Sequence, residues 1–593
     1  MNPVSEKIWF KLPIEYLEES VVHPLLPTVA ENLELVSSSS EIPSMYSSLL
    51  QPKTELDHAL IPRIGECYTS DVDFLQQSQE IVQSQTLKTP SITEGEAKKL
   101  LHIWRDLYEE TPEGPVKTNS FHDRYGYIEF EKVRFINRMS TFMGYWTIMN
   151  LISPIFSIIL PFLFIIAPFV ILRIQSIPIS FSTYMTMLKD LAKSHAIGKT
   201  LTSFENFSVN NLIYVVFTIG MYGLQMYQNC KHCARFYNNI TTVNDNLLSV
   251  KEFVDTSIVN IETFLKTGKT KSKYSEFCKD AERRLVVLHE MKQELSGVCK
   301  LDPGVFNVAK KCFDIGYLLK SYYCLHDTEE YKDALGYAIS FEAYRAALSN
   351  IADQVLSGAV NYGTFIGNNK SIGSGEGSTR FVKQVYPAIS GGVANDLSLE
   401  KNLIITGPNA SGKTTQLKTT AINIIFTQQF GVGFYEACDL APYTHIHSYL
   451  NIPDTSGRDS LFQAEARRCK EIIDVIDSAS TGSRHFCIFD ELFSGTNAEE
   501  ATSASYGFLK YLQKHENVDF ILTTHFVKLC KKVKKNQGAG LRIANYKMDS
   551  TLRPDTANGI HFTYKLVKGI SKIKAAKLIL MQMGFPEEII KNL

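Results

Sequence analysis

The sequence predicts an α/β fold with a parallel sheet for residues 380–593, preceded by segments that are mainly helical. Two apolar stretches, Asn402 to Thr406 and His485 to Phe489, have the length and composition of buried strands, and a helical pattern follows the first. Strands that alternate with helices are typical of a parallel sheet covered by helices. A third observation sets the earlier chain apart, because no residue between Arg138 and Arg173 is charged.

The first strand runs into a glycine-rich turn that fits the pattern G-x-x-x-x-G-K-[ST], and a helical segment from Thr415 to Phe426 follows. The backbone N–H groups of such a turn and the helix N-terminus suit phosphate oxygens. We expect Lys413 to reach the β and γ phosphates of ATP and Thr414 to offer its hydroxyl to Mg²⁺. The predicted ATP-binding turn comprises Gly407, Pro408, Asn409, Ala410, Ser411, Gly412, Lys413 and Thr414.

The second strand ends in two carboxylates, Asp490 and Glu491. Asp490 is placed to hold the Mg²⁺ shell, and Glu491 to orient and deprotonate an attacking water. A third predicted strand, Asp519 to Thr523, leads to His525, whose imidazole we expect to sense the γ-phosphate. The sequence therefore predicts an enzyme that hydrolyses ATP with Mg²⁺, with Glu491, Lys413 and His525 as catalytic residues.

The overall charge gives no sign of nucleic-acid binding, since 61 Lys and Arg face 62 Asp and Glu. Contact with DNA would have to be local, and two lysine clusters offer candidate surfaces. Either cluster would serve as solvated surface, as a phosphate-binding surface or, near a bilayer, as a contact for anionic lipid. The first cluster comprises Lys266, Lys269, Lys271 and Lys273, and the second Lys528, Lys531, Lys532, Lys534 and Lys535.

Two uncharged runs predict a membrane segment. Leu151 to Leu172 is almost wholly apolar and long enough to cross a bilayer, and Leu212 to Leu224 is a weaker candidate. If the prolines at 154, 161 and 168 leave the first run as one bent span, the two runs form a hairpin and both soluble ends lie on one side. If the run folds back as two spans, the ends lie on opposite sides. A pair of buried helices in a soluble core is the remaining alternative.

We expect the chain to be divided into five blocks. These are an N-terminal, mainly helical domain of unknown role at 1–138, a transmembrane helical region at 139–230, a helical core or lever-like domain at 231–366, a linker at 367–379 and the α/β domain at 380–593. Leu285, Leu288, Met291 and Leu295 show the helical spacing of the third block. Eleven cysteines without a repeating spacing favour a reducing compartment.

Four motifs resemble, in order and spacing, the ATPase motifs of the MutS family. They are Gly407 to Thr415, Ser460 to Glu465 preceded by Asp459, Phe489 to Asn497, and Thr524 to Phe526. The resemblance implies an α/β P-loop NTPase domain, an ABC-type ATPase of the MutS kind, with a closing helix-turn-helix segment at about 571–592.

The resemblance also implies a dimer with composite sites. Ser460 would reach the γ-phosphate bound by the partner, Thr415 would bind the nucleotide with the rest of the turn, and Gly495 to Asn497 would pass information between the sites. The family places an aromatic residue on adenine where this chain has Gly392, while Tyr564 lies near a second base-contacting position. The Phe-x-Glu wedge of mismatch-reading members has no counterpart before the apolar runs, since Phe434 to Glu436 lies inside the ATPase region.

We therefore expect an ATP-switched homodimer that binds duplex DNA, in mismatch repair or a related DNA transaction, while anchored to membrane lipid with its ATPase domain facing the cytoplasm. The alternative is a membrane-anchored ATPase scaffold that has lost DNA binding. An ABC transporter is disfavoured, because two or three spans are too few for a translocation path.

Overall fold

The structure is a computed structural model that describes residues 10–38, 43–85, 92–109, 121–175, 177–192, 209–301, 308–367, 377–450, 452, 460–480, 482–536, 541–552, 560–573, 580 and 583–591. The helices are α1 Pro27–Asn32, α2 Met45–Leu50, α3 Glu55–Ile64, α4 Val72–Ser84, α5 Glu94–Tyr108, α6 Phe121–Tyr125, α7 Ser140–Ile174, α8 Phe181–Ala192, α9 Val209–Gly268, α10 Ser275–Leu295, α11 Val308–Asp327, α12 Glu329–Leu356, α13 Lys413–Phe430, α14 Leu461–Ser478, α15 Ala498–Leu512, α16 Val527–Lys535 and α17 Glu587–Lys591. Short 3₁₀ helices cover Pro13–Tyr16, Glu131–Arg138 and Ser272–Tyr274.

The strands are β1 Val22–Pro24, β2 Cys67–Thr69, β3 Asn361–Tyr362, β4 Thr364–Phe365, β5 Arg380–Gln384, β6 Asn395–Ser398, β7 Asn402–Thr406, β8 Val432–Gly433, β9 Ala437–Leu440, β10 His445–Tyr449, β11 His485–Asp490, β12 Val518–Thr524, β13 Ile543–Leu552 and β14 Ile560–Lys568. The main sheet has the order β10-β11-β12-β7-β13-β14, in which only β14 is antiparallel to its neighbour. A smaller sheet has the order β4-β9-β5-β6.

The three predicted strands are confirmed as neighbouring parallel strands in the main sheet. Their register pairs Asp490 with Thr523 and Thr524 with Thr406, so the three chains end at one edge. All five residues of β7 are buried, as expected for a strand with helices on both faces. The carboxyl edge of a parallel sheet is where ligands bind in such folds, and the glycine-rich turn begins there.

The chain packs as two compact units, which do not follow the predicted block boundaries at 138, 230 and 366. One comprises Met1–Ala97, Asn260–Arg284 and Gly336–Leu593, and the other Lys98–Val259 and Leu285–Leu335. The predicted blocks thus describe the order of segments along the chain and not the units into which these segments pack. The linker predicted at 367–379 lies mostly outside the described residues, as do residues 574–579, 581, 582 and 592 of the closing segment predicted at 571–592.

In the first unit, residues from the N-terminal part of the chain enclose the carboxyl end of α13. Gln429 of α13 donates to the carbonyls of Ile64 (2.9 Å) and Cys67 (2.8 Å) and accepts from the Tyr46 hydroxyl (2.9 Å). Its neighbour Gln428 donates to the carbonyl of Thr69 at 2.9 Å. These amides are buried and satisfied, so the helix that follows the glycine-rich turn packs against β7 and its neighbours as well as against residues 46–69.

In the second unit, α7 is one continuous helix, so the prolines of the first apolar run do not break it. Its 35 residues correspond to about 52 Å at 1.5 Å per residue. The α9 helix runs beside it: the Tyr222 hydroxyl donates to the carbonyl of Ser157 at 2.8 Å, and Cys233 Sγ donates to the carbonyl of Leu151 at 3.4 Å. The two helices thus form a hairpin rather than two spans in the first run.

Within the part of the chain that the structure describes, one stretch, Ser140–Leu160, is long and apolar enough to cross a membrane, and only 17% of its apolar window is buried. The second predicted run, 212–224, lies in α9, and several of its side chains are outside the described set. The predicted alternative of two buried core helices is wrong for the described residues, since the apolar side chains lie on the surface. They include Ile155, Phe156, Ile158, Ile166, Ile171, Ile213, Val216 and Phe217.

The helical spacing at 285–295 is confirmed, because Leu288, Met291 and Leu295 of α10 are fully buried. Helices α7 and α11 approach closely in the same unit, where a side chain at Gly316 would overlap the backbone of Gly144. The described cysteines are free.

Candidate functional site

The glycine-rich turn is compact and lies at the edge of the main sheet. Ala410 has φ 62° and Gly412, the residue before α13, has φ 89°, both in the left-handed region. A Cβ atom at Gly407 would lie 2.6 Å from Ser411 Oγ, so a larger residue there would force the Ser411 side chain to move. Ser411 is buried while Pro408, Asn409 and Thr415 complete the loop and the first turn of α13. Such a loop points its N–H groups into one concavity, as phosphate binding requires.

Lys413 lies inside this loop with its ammonium at the concavity. Its side chain is 6% exposed, and Nζ donates to the carbonyls of Gly407 (3.0 Å) and Pro408 (3.3 Å). Burial lowers the pKa of Lys413, while the carboxylates of Glu491 and Asp490 act in the opposite direction. A desolvated cation beside backbone donors is suited to bind a polyphosphate.

The two predicted metal-binding residues meet at the end of the strands. The Thr414 hydroxyl donates to Asp490 Oδ2 at 2.9 Å, and the Thr523 hydroxyl donates to Oδ1 of the same carboxylate. A hydroxyl and a carboxylate at this spacing are the hard oxygen donors that Mg²⁺ prefers, so the residues fit a magnesium ion shared with phosphate. Among the described residues no cluster of three or more His, Cys, Asp or Glu side chains suits a metal ion.

Glu491 lies between the predicted sensor and the loop lysine. Its Oε1 is 3.3 Å from His525 Nδ1 and 3.9 Å from Lys413 Nζ. The hydrogen bond from His525, helped by the charges of His525 and Lys413, lowers the pKa of Glu491 against the opposing effect of burial. Glu491 also has φ 52°, an unfavourable value for this residue type, and strain of this kind concentrates at functional sites. The three predicted catalytic side chains are therefore adjacent.

A cavity of about 510 Å³ adjoins the loop on the side of Gly412 and Thr415. Tyr564, the predicted base contact, lies at its rim: a side chain on Gly412 would come within 3.2 Å of the Tyr564 ring. Asn395 fixes this segment, because it donates to the Tyr564 carbonyl (2.9 Å) and accepts from the Leu566 amide (2.8 Å). The cavity is large enough for a nucleobase.

Sequence reasoning missed several residues that line this cavity, which are Gln384, Tyr386, Gln416 and Met548. Gly392 lines it too, and Tyr386 is a second aromatic residue at this cavity beside Tyr564. Burial raises the pKa of Tyr386 to about 12 and keeps its hydroxyl neutral. Tyr386 stands in the Val385-Tyr-Pro387 segment that directly follows β5.

Ser460 lies apart from the loop contacts, as the N-cap of α14. Its hydroxyl accepts from the Gln463 amide at 3.3 Å, and the Gln463 side chain accepts from the Ser460 amide at 2.9 Å. Ser460 is exposed, so it is accessible to a second molecule. The Asp459 that precedes it is outside the described residues.

The helix of Ser460 is tied to the segment after Glu491. Glu465 of α14 is 2% exposed, and its carboxylate accepts from the amide (3.0 Å) and hydroxyl (2.9 Å) of Ser494 and from the amide of Gly495 (3.2 Å). A movement of α14 that shifts Ser460 would thus also shift, through Glu465, the segment that follows the carboxylates at the end of β11.

The two predicted lysine clusters differ in their surroundings. In the first, Lys271 pairs with Glu80, Lys273 with Asp71 (2.6 Å) and Lys269 with Glu282. Three of its four charges therefore face acids of the same chain. The second cluster lies on α16, where Lys528, Lys531, Lys534 and Lys535 are exposed and Lys532 lies over the Tyr506 ring at 4.4 Å. Lys531 and Lys534 line a groove of about 1210 Å³ together with His525.

The loop, the paired carboxylates and the cavity define a P-loop nucleoside triphosphate site at the edge of an α/β sheet. Residues 403–593 match the family model "MutS domain V". This part of the chain is therefore similar to the MutS family.

Named relatives match the same part of the chain. It is 31% identical over 215 residues to "Endonuclease MutS2" of Thermus thermophilus, a match that covers 35% of this chain and 26% of the relative. It is 28% identical over 212 residues to "Endonuclease MutS2" of Streptococcus uberis, covering 35% and 25%. It is 29% identical over 215 residues to "DNA mismatch repair protein MSH3" of Candida albicans, covering 34% and 20%. The chain thus spans about a quarter or less of these relatives' length.

Proposed function

We propose that the protein hydrolyses ATP with Mg²⁺ and uses the cycle to switch a dimer that acts on duplex DNA, in mismatch repair or a related DNA transaction, while a helical hairpin anchors it to a membrane. The observation that carries the ATPase proposal is the meeting of Lys413, Glu491 and His525 at the mouth of the loop. The names of the relatives, an endonuclease and a mismatch repair protein, support the DNA part.

The residues have distinct roles in the proposed hydrolysis. The loop amides and Lys413 bind the phosphates, and Thr414 with Asp490 would hold Mg²⁺, which neutralises charge on the phosphate oxygens. Glu491 is ionised at neutral pH because its pKa is lowered, so it can accept the proton of an attacking water. His525 holds the Glu491 carboxylate in position and lies beside the site of the terminal phosphate.

The ATPase proposal is tested by phosphate release and ATP binding of the full chain, compared with Lys413→Ala. We expect Lys413→Ala to lose ATP binding, because the buried ammonium is the loop's only side-chain cation among the described residues. Equal hydrolysis by both proteins would contradict the assigned site.

The dimer proposal rests on Ser460, which is exposed at the start of a helix that Glu465 ties to the segment after Glu491. Because Ser460 also caps α14, its replacement needs a variant that keeps the cap. Ser460→Ala removes the cap and Ser460→Asn retains it. We expect both variants to lower turnover, and mixing either with Lys413→Ala to give no more than partial recovery through hybrid dimers. Normal turnover of Ser460→Asn would mean that Ser460 only caps α14 and does not act in the site of the partner.

DNA binding is tested with matched and mismatched duplexes at two salt concentrations, with and without ATP and Mg²⁺. Phosphate contacts make binding fall steeply with salt. Nucleotide-dependent binding of the full chain would support the DNA proposal, and preference for mispairs would define mismatch recognition. Absence of binding at low salt would favour the ATPase scaffold instead.

The membrane proposal is supported by the many exposed apolar side chains of α7 and α9, because exposed apolar patches mark sites of protein or membrane contact. The chain would lie with its ATPase domain on the cytoplasmic side. Arginine at Ile158 and Ile166, which are about half exposed, would put charge into the hydrocarbon region. We expect the double variant to lose liposome flotation, while Val286→Arg, an equally exposed apolar position on α10, keeps it. Flotation of both variants would contradict the anchor.

A further inference from the structure

The groove of about 1210 Å³ beside α16 carries an unbalanced positive charge. The described residues that line it include one carboxylate, that of Glu400, and five lysines, all of them exposed. No described residue forms an ion pair with any of these lysines, whereas three of the four lysines in the first cluster are paired. This surface, the lysine groove, therefore favours an anionic partner. Its lysines are Lys401, Lys531, Lys534, Lys568 and Lys572.

The fold brings these lysines together from three segments. Lys401 directly precedes β7, Lys531 and Lys534 lie on α16, and Lys568 and Lys572 lie at the end of β14 and just after it. All three segments belong to the same compact unit of the chain. The positive charge is thus a property of the assembled surface and not only of one basic helix.

Helix α16 turns one of its faces toward the lysine groove. Val527, Lys531 and Lys534 line the groove and follow the i, i+4, i+7 spacing of a single helical face. Lys528 and Lys535 are exposed as well, but they lie on another face of the helix and are not among the described residues that line the groove. The same helix therefore contains groove lysines and matched lysines outside the groove.

Asn545 of β13 holds both walls of the lysine groove. Its side-chain amide donates to the carbonyl of Cys530 on α16 at 3.4 Å, and its own carbonyl accepts from the amide of Gly569 at 2.9 Å. The second wall is also fixed to β7, because the Ser571 amide donates to the hydroxyl oxygen of Thr406 at 2.9 Å. Since both walls are attached to one residue, the groove is narrow at its floor.

The lining of the lysine groove combines charge with apolar and aromatic side chains. Val527, Ile570 and Ile573 are half-buried and line it, as does His525, whose side chain is 50% exposed. Lysines suit the phosphates of a single nucleic-acid strand, and apolar or aromatic side chains suit its bases. A duplex keeps its bases stacked inside and is wider than its own major groove of about 12 Å, so it would contact only the rim.

We propose that the lysine groove binds a single-stranded nucleic acid, with its lysines on the phosphates and His525 and the apolar side chains against the bases. This inference goes beyond the proposed action on duplex DNA. Each phosphate contact of a single strand lowers the slope of log affinity against log salt by about 0.7. Contacts from all five lysines would therefore give a slope of about −3.5.

The test measures binding of the full chain to a fluorescent thymidine oligonucleotide of about 20 nucleotides, by anisotropy at several salt concentrations. The groove variant Lys531→Gln/Lys534→Gln is compared with the control variant Lys528→Gln/Lys535→Gln, which removes the same charge from the other face of α16. We expect weaker binding and a slope of about −2.1 for the groove variant, and an unchanged slope for the control variant. ATP hydrolysis without nucleic acid should be unchanged in both variants, which verifies that they are folded.

Three results would overturn the inference. An equal loss of binding in the two variants would mean that the lysines act only through the general positive charge of α16. Tighter binding of a duplex of the same length, with the same loss in the groove variant, would assign the groove to duplex DNA. Normal strand binding by the groove variant, together with weaker binding to phosphatidylserine liposomes, would assign the groove to lipid.

Failure of this inference can be distinguished from failure of the proposed function. If the single strand does not bind while a duplex binds in the presence of ATP, the inference is wrong and the proposed action on duplex DNA stands. If neither nucleic acid binds at low salt, both are wrong.

Discussion

Replacement of Gln429 by leucine should lower the local stability of α13, the helix that follows the glycine-rich turn, although Gln429 lies at the far end of that helix. The change keeps the volume of the side chain but removes its hydrogen bonds to the Tyr46 hydroxyl and to the carbonyls of Ile64 and Cys67, which are 2.8 to 2.9 Å long. Tyr46 is fully buried, and burial raises its pKa far above the usual value, so its neutral hydroxyl still needs an acceptor.

The magnitude follows from the number of groups left without a partner. At about 1 kcal/mol for each of them, the loss in local stability is about 3 kcal/mol. Because 1.4 kcal/mol corresponds to a factor of ten, amide exchange through local opening should become roughly 100-fold faster. We expect the effect in peptides that cover α13 and β2.

The assay is hydrogen exchange followed by mass spectrometry, with Gln76→Leu as the control on an exposed position of α4. The control should exchange as the unchanged protein does, since exposed substitutions alter stability by only a few tenths of a kcal/mol. Exchange in α13 that is less than about fivefold faster in Gln429→Leu would refute the role of residues 46–69 in holding this helix, because it corresponds to about 1 kcal/mol.

Three further predictions concern Glu491, His525 and Thr523. Glu491→Gln should bind ATP but hydrolyse it about 10²- to 10⁴-fold more slowly, since it cannot accept a proton; normal phosphate release would exclude Glu491 as the base. The hydrogen bond from His525 lowers the pKa of Glu491, so the carboxylate stays ionised further into acid. His525→Ala should therefore move the acidic limb of the pH–rate profile to higher pH, and an unmoved limb would argue against this link. Thr523→Val removes the hydroxyl that donates to Asp490 and should raise the Mg²⁺ concentration needed for half-maximal hydrolysis several-fold, while the fold of the protein stays unchanged. An unaltered Mg²⁺ dependence would mean that Thr523 serves only as a residue of the sheet.

The site could be predicted from the sequence where its residues are close in the chain or follow a strand. The turn from Gly407 to Thr414 is local, and its backbone conformation depends on its own glycines. Asp490 ends the apolar strand β11, and His525 follows the apolar strand β12. Parallel strands bring their carboxyl ends to one edge of the sheet. The position of Ser460 in a partner's site stays a prediction, since a single chain does not test it.

Other features depended on distant segments. The first lysine cluster looks basic in the sequence, yet Lys271 pairs with Glu80 and Lys273 with Asp71, 191 and 202 residues earlier in the chain. Likewise, the prolines of the first apolar run left open whether it forms one bent span or two spans, and the structure shows that α7 continues through them. Charge pairing and helix continuity are set by packing partners that local pattern does not identify.

The sequence by itself determined the chemistry of the loop and the carboxylates, because each group is placed by a short motif attached to a strand. The tertiary structure alone decided what surrounds that chemistry. It brings Gln384 from the smaller sheet and Gln416 from α13 to one cavity, and it encloses the end of α13 with residues from the beginning of the chain. Neither arrangement has a sequence signature, because these contacts join segments that are far apart in the chain and no local pattern identifies packing partners.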